Sequence, residues 1–237
     1  MRIVVDLQAI QSPANGTRGI GRYSTSLVEA MLRQGSSHEW VFALNGELSS
    51  SIQPIRERLE QLAGPQAFRV WYPPAASNCA PVRRAGQRMY EAFLHSLQPD
   101  VVHVASLFEG HYDPCLTSIG TFVRQPTSVT LYDLIPLLHP NIYLANADVR
   151  AWYMQKIEAL KRADAWLAIS ESSRREGIEH LGLDADRCVN VSTSADEHFI
   201  PLQLSLEQRS ALRERYGLGK PFVMYTGGID DTKNIEG

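Results

Sequence analysis

Short apolar runs of strand length alternate with helical patterns along most of this chain, and no other feature constrains its fold as strongly. Helices between near-continuous apolar strands are typical of βαβ units, in which a parallel sheet is covered on both faces. The pattern therefore predicts an α/β fold built on a Rossmann-like, doubly wound parallel sheet. The predicted strands are residues 3–7, 40–44, 68–71, 101–104, 128–131, 165–169 and 189–191.

Helical periodicity fills several intervals between these strands. Residues 22–33 place apolar side chains on one face, and residues 151–163 show a narrower apolar stripe. Ser170 is the predicted N-cap of the helix that follows the sixth strand. Residues 48–54 and 73–81 are predicted to be loops, because they are rich in residues that favour turns.

The composition is that of an ordinary globular protein without a charge bias. Of 237 residues, 44% are hydrophobic and 21% are charged, and the net charge is -3. This balance gives no electrostatic argument for nucleic-acid binding. Residues 1–7 form too short an apolar run for a signal peptide, and the three cysteines lack metal-ligand spacing. We therefore expect a cytoplasmic protein with reduced thiols.

The C-terminal part of the chain differs in character. A charged helical segment without a sheet strand leads to an apolar run, which Gly227, Gly228 and Lys233 follow. A glycine turn and a lysine at a helix start can hold phosphate through backbone N–H groups and a cation. The predicted parts are a first domain, an interdomain linker, and the first strand and phosphate turn of a truncated second Rossmann-like domain: residues 1–200, 201–219 and 220–237.

A glycine-rich segment follows the first strand. Gly16, Gly19 and Gly21 would let the backbone approach a ligand, and the helix that starts near Arg22 adds a partial positive charge. The spacing is not that of the dinucleotide fingerprint, and the loop is long for a dinucleotide turn. From the residues alone, a ligand-binding loop and a plain glycine loop both remain open.

Polar side chains also occur where two later strands end. His103 lies near the end of the fourth strand, and Tyr132 and Asp133 end the fifth. Ligands of open α/β sheets bind at this edge of the sheet. The alternatives are a hydrogen-bonded core histidine and an aspartate that caps the following turn.

In the order of five short motifs, the chain resembles the bacterial group 1 glycosyltransferases. These are retaining, family 4-like enzymes of the GT-B type, and the resemblance is strongest to their mannosyltransferases. The motifs are Gly-Ile-Gly-Arg-Tyr from residue 19, Asp-Val-Val-His from residue 100, Asp-Leu-Ile-Pro-Leu-Leu-His-Pro from residue 133, Ala-Ile-Ser-Glu-Ser-Ser-Arg from residue 168 and Tyr-Thr-Gly-Gly-Ile-Asp-Asp-Thr-Lys-Asn from residue 225. The resemblance spans nearly the whole chain. It implies that the chain corresponds mainly to the N-terminal, acceptor-side domain of a protein with the two-domain GT-B architecture.

The resemblance also implies roles at the donor phosphates. The loop of residues 16–21, including Gly19, would lie over the donor diphosphate, with Arg22 on the acceptor side of the cleft. Lys233, with Gly228 before it, matches the family's donor-phosphate lysine and would stabilise the leaving nucleoside diphosphate. Gly228 stands where the family often has arginine.

Further roles concern the transferred sugar and the acceptor. Asp133 matches the acid of the family's His-Asp pair, and Tyr132 stands where the family usually has histidine, so the pair is the implied catalytic element. A tyrosine can donate a hydrogen bond to a sugar hydroxyl but is no general base near neutral pH. Ser170 and Glu171 match a segment at the cleft edge, and His103 is assigned to the acceptor side.

The implied reaction is transfer of a hexose, with retention, from a nucleotide diphosphate sugar to a surface glycan or lipid-linked saccharide. GDP-mannose is the expected donor, and neither a cofactor nor a metal is expected. The family's Glu-x7-Glu segment lies in the C-terminal domain, of which these residues would hold only the beginning, so we expect the 237 residues alone to be inactive. The alternatives are a GT-B sugar-nucleotide epimerase and a non-catalytic ligand- or dinucleotide-binding module.

One helical segment carries a possible membrane signal. Residues 82–97 have three arginines at one end, followed by apolar residues at helical spacing. Such a helix can lie on an anionic membrane surface, or it can cover the sheet with a solvated cationic start. The first alternative would bring the protein to the inner membrane face.

Overall fold

We describe residues 1–35, 37–74, 79–111, 113–195 and 199–227 of a computed structural model of the chain. The chain divides into two compact units, Met1–Thr193 and Ser194–Gly237. The first unit carries the sheet, and the second contains one described helix. The predicted boundaries at residues 200 and 219 remain predictions.

The first unit is a seven-stranded parallel sheet in the order β3-β2-β1-β4-β5-β6-β7. All seven predicted strands are confirmed, with each end within one residue of the prediction. The strands are β1 (Arg2–Asp6), β2 (Glu39–Asn45), β3 (Phe68–Trp71), β4 (Val101–Val104), β5 (Thr127–Leu131), β6 (Ala165–Ala168) and β7 (Cys188–Asn190).

Helices connect and cover these strands. They are α1 (Gln8–Gln11), α2 (Gly19–Arg33), α3 (Ser49–Ala63), α4 (Ala80–Ser96), α5 (Ile135–Leu138), α6 (Pro140–Tyr143), α7 (Ala147–Leu160), α8 (Glu171–Leu181) and, in the second unit, α9 (Leu206–Arg215). The Ser170 side chain accepts a hydrogen bond from the Ser173 backbone N–H and so caps α8, as the sequence predicts.

The hydrophobic core lies on both faces of the sheet. Alternate residues of one strand point to opposite faces, so Val4 belongs to a cluster with Tyr90 of α4 and Ile157 of α7. Its neighbour Val5 belongs to a separate cluster with Val28 of α2. Burial of both faces explains why the strands are continuous apolar runs.

The prediction of a loop at residues 48–54 is wrong, since α3 begins at Ser49 and contains Pro54. Ile55 and Leu59 are buried one helical turn apart, and this packing favours the helix. Pro54 has no backbone N–H to donate to the carbonyl oxygen of Ser50, four residues earlier. Because Ser50 is exposed, water can hydrogen-bond to this oxygen instead.

The second unit contains the predicted charged helix. Ser205 and Gln208 form a capping box at the start of α9. The described residues 220–227 form neither helix nor strand, and Val223 is exposed. A strand needs a neighbour for its backbone hydrogen bonds, and the described part of this unit supplies none. The predicted strand is therefore not observed there.

Candidate functional site

The order of the strands locates the crevice of the sheet. The chain runs outward from β1 through β2 to β3 and then returns to place β4 on the other side of β1. In doubly wound sheets, ligands bind outside the carboxyl ends of the strands at this reversal. The glycine segment follows β1, so it begins at this crevice.

The glycines at 16 and 21 allow close packing of the backbone against itself. A Cβ atom on Gly21 would collide with the backbone of Gly16, and one on Gly16 would lie 2.8 Å from the Ser12 carbonyl oxygen. Gly19 is exposed, with no atom near the position of an added Cβ. Two of the glycines therefore shape the loop, and Gly19 leaves its outer surface open.

This packing produces an uncapped helix start. Arg18 precedes α2 without a side-chain capping bond, and the first turn holds no acid. Among the described residues, the backbone N–H groups of Gly19 and Ile20 have no acceptor, while those of Gly21 and Arg22 bond to Asn15 and Arg18. Free N–H groups at a helix start attract anions.

A buried acid that the sequence prediction missed holds this loop. Glu109 is 1% exposed and lies beyond β4. Its Oε1 and Oε2 accept hydrogen bonds from Asn15 Nδ2 at 3.2 and 3.0 Å, and Ser106 Oγ also donates to Oε1 at 2.9 Å. Burial raises the pKa of Glu109, although these bonds oppose the shift. An acid soon after a strand end was the only local signal.

Three amides fix the path of the chain from β1 into the loop. The Asn45 backbone N–H donates to Gln11 Oε1 at 2.7 Å, and Asn45 Nδ2 donates to Gln8 Oε1 at 2.9 Å. Gln8 Nε2 donates to Asp6 Oδ1 at 3.1 Å and to the Leu116 carbonyl at 2.9 Å. The side-chain amides of this buried network are all hydrogen-bonded, which favours a single arrangement.

Asp6, at the end of β1, is fully buried. Its Oδ2 has no hydrogen-bond partner among the described residues. Burial raises the pKa of Asp6 from 3.8 to about 7, and the hydrogen bonds of Gln8 oppose this rise. The protonated acid is therefore present in the folded protein well above the pH at which a free aspartic acid ionises.

The predicted pair Tyr132 and Asp133 lies at the end of β5. The Tyr132 hydroxyl is 3.4 Å from both Ser24 Oγ and the Ala105 carbonyl oxygen, and its ring packs edge-on against Tyr23 at 6.0 Å. Burial raises the pKa of Tyr132 above its ordinary value. Asp133 is exposed and accepts a bond from the Ile135 N–H at 3.2 Å. The structure thus brings Tyr132, but not its neighbour, against α2.

His103 lies inside the sheet layer at 5% exposure. Its Nδ1 is 3.0 Å from Ser128 Oγ, and its Nε2 is 3.3 Å from Thr130 Oγ1. Burial lowers the pKa of His103 to about 4, so the ring is neutral at pH 7. These contacts are those of a hydrogen-bonded core histidine, and the acceptor-side role of His103 stays a prediction.

Ser170 and Glu171 lie at the start of α8, shortly after β6. Ser170 is the helix cap, and Glu171 is exposed and paired with Arg174 at 3.3 Å. Arg22 is exposed, and neither it nor Arg18 has a side-chain hydrogen bond or ion pair in the described parts of the chain. The predicted donor residues Gly228 and Lys233 lie outside the described residues.

A single group of three side chains in the described ranges could hold a metal ion: Glu109, Asp113 and Cys115, with ligand atoms within 4.8 Å of one another. Their oxygens already accept protein donors, since Ser12 Oγ donates to Asp113 Oδ2 at 2.8 Å. Burial raises the pKa of the Cys115 thiol, which disfavours the thiolate that a metal needs. The expectation of a metal-free site stays a prediction.

Asp184 and Asp186 have the spacing of a metal-binding acid pair, and they lie before β7, at the opposite edge of the sheet. The Asp186 N–H donates to Asp184 Oδ1 at 3.0 Å, and Arg187 pairs with Asp184 at 3.5 Å. These acids thus form a turn away from the crevice.

Lys156 of α7 carries a buried amine. Its Nζ donates to the Thr117 carbonyl at 2.8 Å and to Thr117 Oγ1 at 2.5 Å. Thr117 Oγ1 donates in turn to the Leu107 carbonyl at 2.6 Å. Burial lowers the pKa of Lys156 to about 7. The amine therefore links α7 to the segment that carries Glu109.

Comparisons with known proteins agree with this architecture. Two solved structures share the fold. A glycosyltransferase from Rickettsia africae ESF-5 has a TM-score of 0.52 and 13% sequence identity, and the match covers 92% of this chain and 50% of that chain. Arabidopsis thaliana UGT89C1 has a TM-score of 0.51 and 12% sequence identity, and the match covers 90% of this chain and 54% of that chain. The prediction of a Rossmann-like fold of the GT-B type is confirmed.

Curated relatives place the chain more closely. It is 30% identical to the serotype-specific mannosyltransferase WbdA of Escherichia coli over 243 residues, which cover 100% of this chain and 29% of that protein. A second WbdA protein of Escherichia coli is 36% identical over 154 residues, which cover 65% and 19%. The family model described as "Glycosyl transferase 4-like domain" matches residues 18–193. The chain therefore belongs to the glycosyl transferase 4-like family, as its motifs predict.

Proposed function

We propose that this protein transfers mannose from GDP-mannose to a hydroxyl of a surface glycan or lipid-linked saccharide, with retention of the anomeric configuration. Family membership supports glycosyl transfer, and the similarity to serotype-specific mannosyltransferases supports mannose and a surface glycan. The chain spans 29% of the length of the matched WbdA protein, so the activity stated here for the whole protein is a proposal.

The observation that carries the proposal is the uncapped start of α2 at the strand-order reversal. The N–H groups of Gly19 and Ile20 lack acceptors in the described chain, and the exposed side chains of Arg18 and Arg22 flank them. A diphosphate at this position would receive two backbone hydrogen bonds and the helix dipole. The same groups would stabilise the charge that develops as the nucleoside diphosphate leaves.

Tyr132 would act as a hydrogen-bond donor to a sugar hydroxyl. Its raised pKa keeps the phenol protonated, so it cannot accept a proton as a general base. The exposed carboxylate of Asp133 would accept a hydrogen bond from the acceptor or the transferred sugar. Lys233, with Gly228 before it, would supply a second cationic contact to the donor phosphates.

We also propose that the reaction needs no metal and that residues 1–237 alone do not turn over. The backbone donors at the α2 start and the ammonium group of Lys233 would stabilise a diphosphate without a metal ion. The chain covers half of the solved Rickettsia glycosyltransferase, and the GT-B architecture that it resembles has two domains that face each other across a cleft.

A peripheral membrane contact would bring the protein to a lipid-linked acceptor. None of the described helices has the length and the apolar character to cross a membrane. The exposed face of α4 carries Arg84, Arg88 and Met89, which is the combination of cations and an apolar group that favours anionic lipid surfaces.

Calorimetry with GDP tests the phosphate site on the full-length gene product. Lys233→Ala and Arg18→Ala should each weaken binding by about 1–3 kcal/mol, the range for a hydrogen bond to a charged group. Arg209→Ala, on the exposed surface of α9, is the matched control. Unchanged GDP affinity in both site variants would rule out the proposed phosphate contacts.

A further inference from the structure

The buried carboxylate of Glu109 binds the glycine loop directly. Asn15 Nδ2 donates to both of its oxygens, at 3.0 and 3.2 Å, and the two residues are 94 positions apart. The Asn15 carbonyl oxygen then accepts the Gly21 N–H at 3.2 Å. A short path of hydrogen bonds therefore joins Glu109 to the first turn of α2.

The loop cannot adjust freely to a change at Asn15. Gly16 donates its N–H to the Ser12 carbonyl at 2.7 Å, and its own backbone touches Gly21. The positions of the free N–H groups of Gly19 and Ile20 follow from this packing. A displacement of Asn15 would therefore change the direction of both groups.

Glu109 is itself held from the opposite side of the crevice. Ser106 donates to its Oε1, and the bonds from Lys156 to Thr117 and from Thr117 to Leu107 fix the segment after β4. A buried acid costs free energy unless its oxygens are hydrogen-bonded. The oxygens of Glu109 bond mainly to Asn15, so the acid restrains the loop as well as the fold.

We propose that Glu109 is a positioning residue that, through Asn15, aligns the N–H groups of Gly19 and Ile20 for the donor diphosphate. This inference rests on the proposed function. Glu109 touches no substrate and acts by prealigning donors, which lowers the ordering cost of binding.

An exchange of the amide and the carboxylate between positions 15 and 109 tests this role. Asn15→Asp places two carboxylates against each other, and the double variant Asn15→Asp/Glu109→Gln restores an amide–carboxylate pair with the opposite polarity. The matched control is Glu91→Gln, which alters another buried acid whose oxygens bind Ser118 and the backbone of residues 121–123. Two quantities are measured: hydrogen exchange at residues 16–22 of the 237-residue chain, and GDP affinity of the full-length protein.

In the folded wild type, the amides of Gly21 and Arg22 should exchange slowly. Asn15→Asp should accelerate hydrogen exchange at these two amides. It should also weaken GDP binding by about tenfold or more, the effect of disrupting a hydrogen bond to a charged group. The double variant should recover both quantities to within about threefold of the wild type, where a tenfold change equals about 1.4 kcal/mol. Glu91→Gln should lower the melting temperature without affecting either quantity.

Two results separate the failure of this inference from that of the proposed function. If folded Asn15→Asp keeps wild-type exchange, or if the double variant shows no recovery, Glu109 does not position the loop. If exchange responds as expected but the wild-type protein binds no GDP, positioning of the loop stands and the phosphate role of α2 is overturned.

Discussion

Asn15 Nδ2 donates to both carboxylate oxygens of Glu109, at 3.0 and 3.2 Å, across the reversal point between β1 and β4. This contact ties the glycine loop after the first strand to the segment after the fourth. The two sides of the crevice are thereby held together by side chains, beyond the ladder of β1 and β4 beneath them. We therefore expect the free energy of unfolding, and its dependence on pH, to respond to changes in the tightly packed and buried polar groups near the crevice.

Gly21→Ala should destabilise the protein, because the new methyl group would overlap the Gly16 backbone. We expect a loss of about 1–3 kcal/mol in the free energy of unfolding, the usual cost of overpacking. Gly19→Ala is the control, since its methyl group meets no atom and alanine favours helix; it should gain about 0.5 kcal/mol. Urea denaturation measures both changes, and equal stabilities would contradict the observed loop packing.

Asp6→Asn should become more stabilising, relative to the wild type, as the pH rises from 4 to 7. The folded-state pKa of Asp6 is raised from 3.8 to about 7 by burial. The wild type therefore has its full stability below pH 3.8 and loses part of it as the pH rises through 7. Asparagine resembles the neutral acid, so the difference should grow by up to about 1.4 kcal/mol per pH unit. A pH-independent difference between the two urea denaturation curves would contradict this burial.

His103→Gln should make the stability of the protein less sensitive to acid. Burial lowers the folded-state pKa of His103 from 6.5 to about 4. Its contribution to stability is therefore present above pH 6.5 and is lost as the pH falls through 4. Thermal unfolding at several pH values measures this loss. An increase in KM for the acceptor, without loss of stability, would instead support the acceptor-side role.

The stability of Lys156→Met, relative to the wild type, should be higher at pH 6 than at pH 10. Burial lowers the pKa of Lys156 from 10.5 to about 7, so the wild type loses stability as the pH falls from 10.5 to 7. The difference between variant and wild type should increase by at least about 1 kcal/mol over this interval. Lys161→Met is the control for net charge, as that amine is exposed. The same pH trend in both variants would contradict an effect of burial.

The strands and their order of appearance could be predicted because each strand is an apolar run that is buried on both faces. Helix α3 was missed because Pro54 and the preceding serines favour turns locally, whereas the burial of Ile55 and Leu59 decides the conformation. The helical spacing of Ile55 and Leu59 is a local signal, but it lies beyond the turn-rich residues 48–54 on which the loop prediction rests.

The candidate site was predictable only in outline. The glycine loop and Tyr132 could be placed at strand ends, because parallel strands present their carboxyl ends at one edge. The pairing of Asn15 with Glu109 joins residues 94 positions apart and has no local pattern. The same limit applies to His103, whose partners Ser128 and Thr130 belong to the next strand of the sheet.

Transfer of sugar by the full-length gene product tests the central claim most directly. The protein would be incubated, with a chelator present, with a panel of GDP- and UDP-sugars and a mannose-terminated acceptor, and the product linkage would be read by NMR. We predict transfer from GDP-mannose alone, with the anomeric configuration retained and with loss of activity in Lys233→Ala. Transfer from a UDP-sugar in preference to GDP-mannose, inversion of configuration, or no transfer by the folded protein would contradict the account.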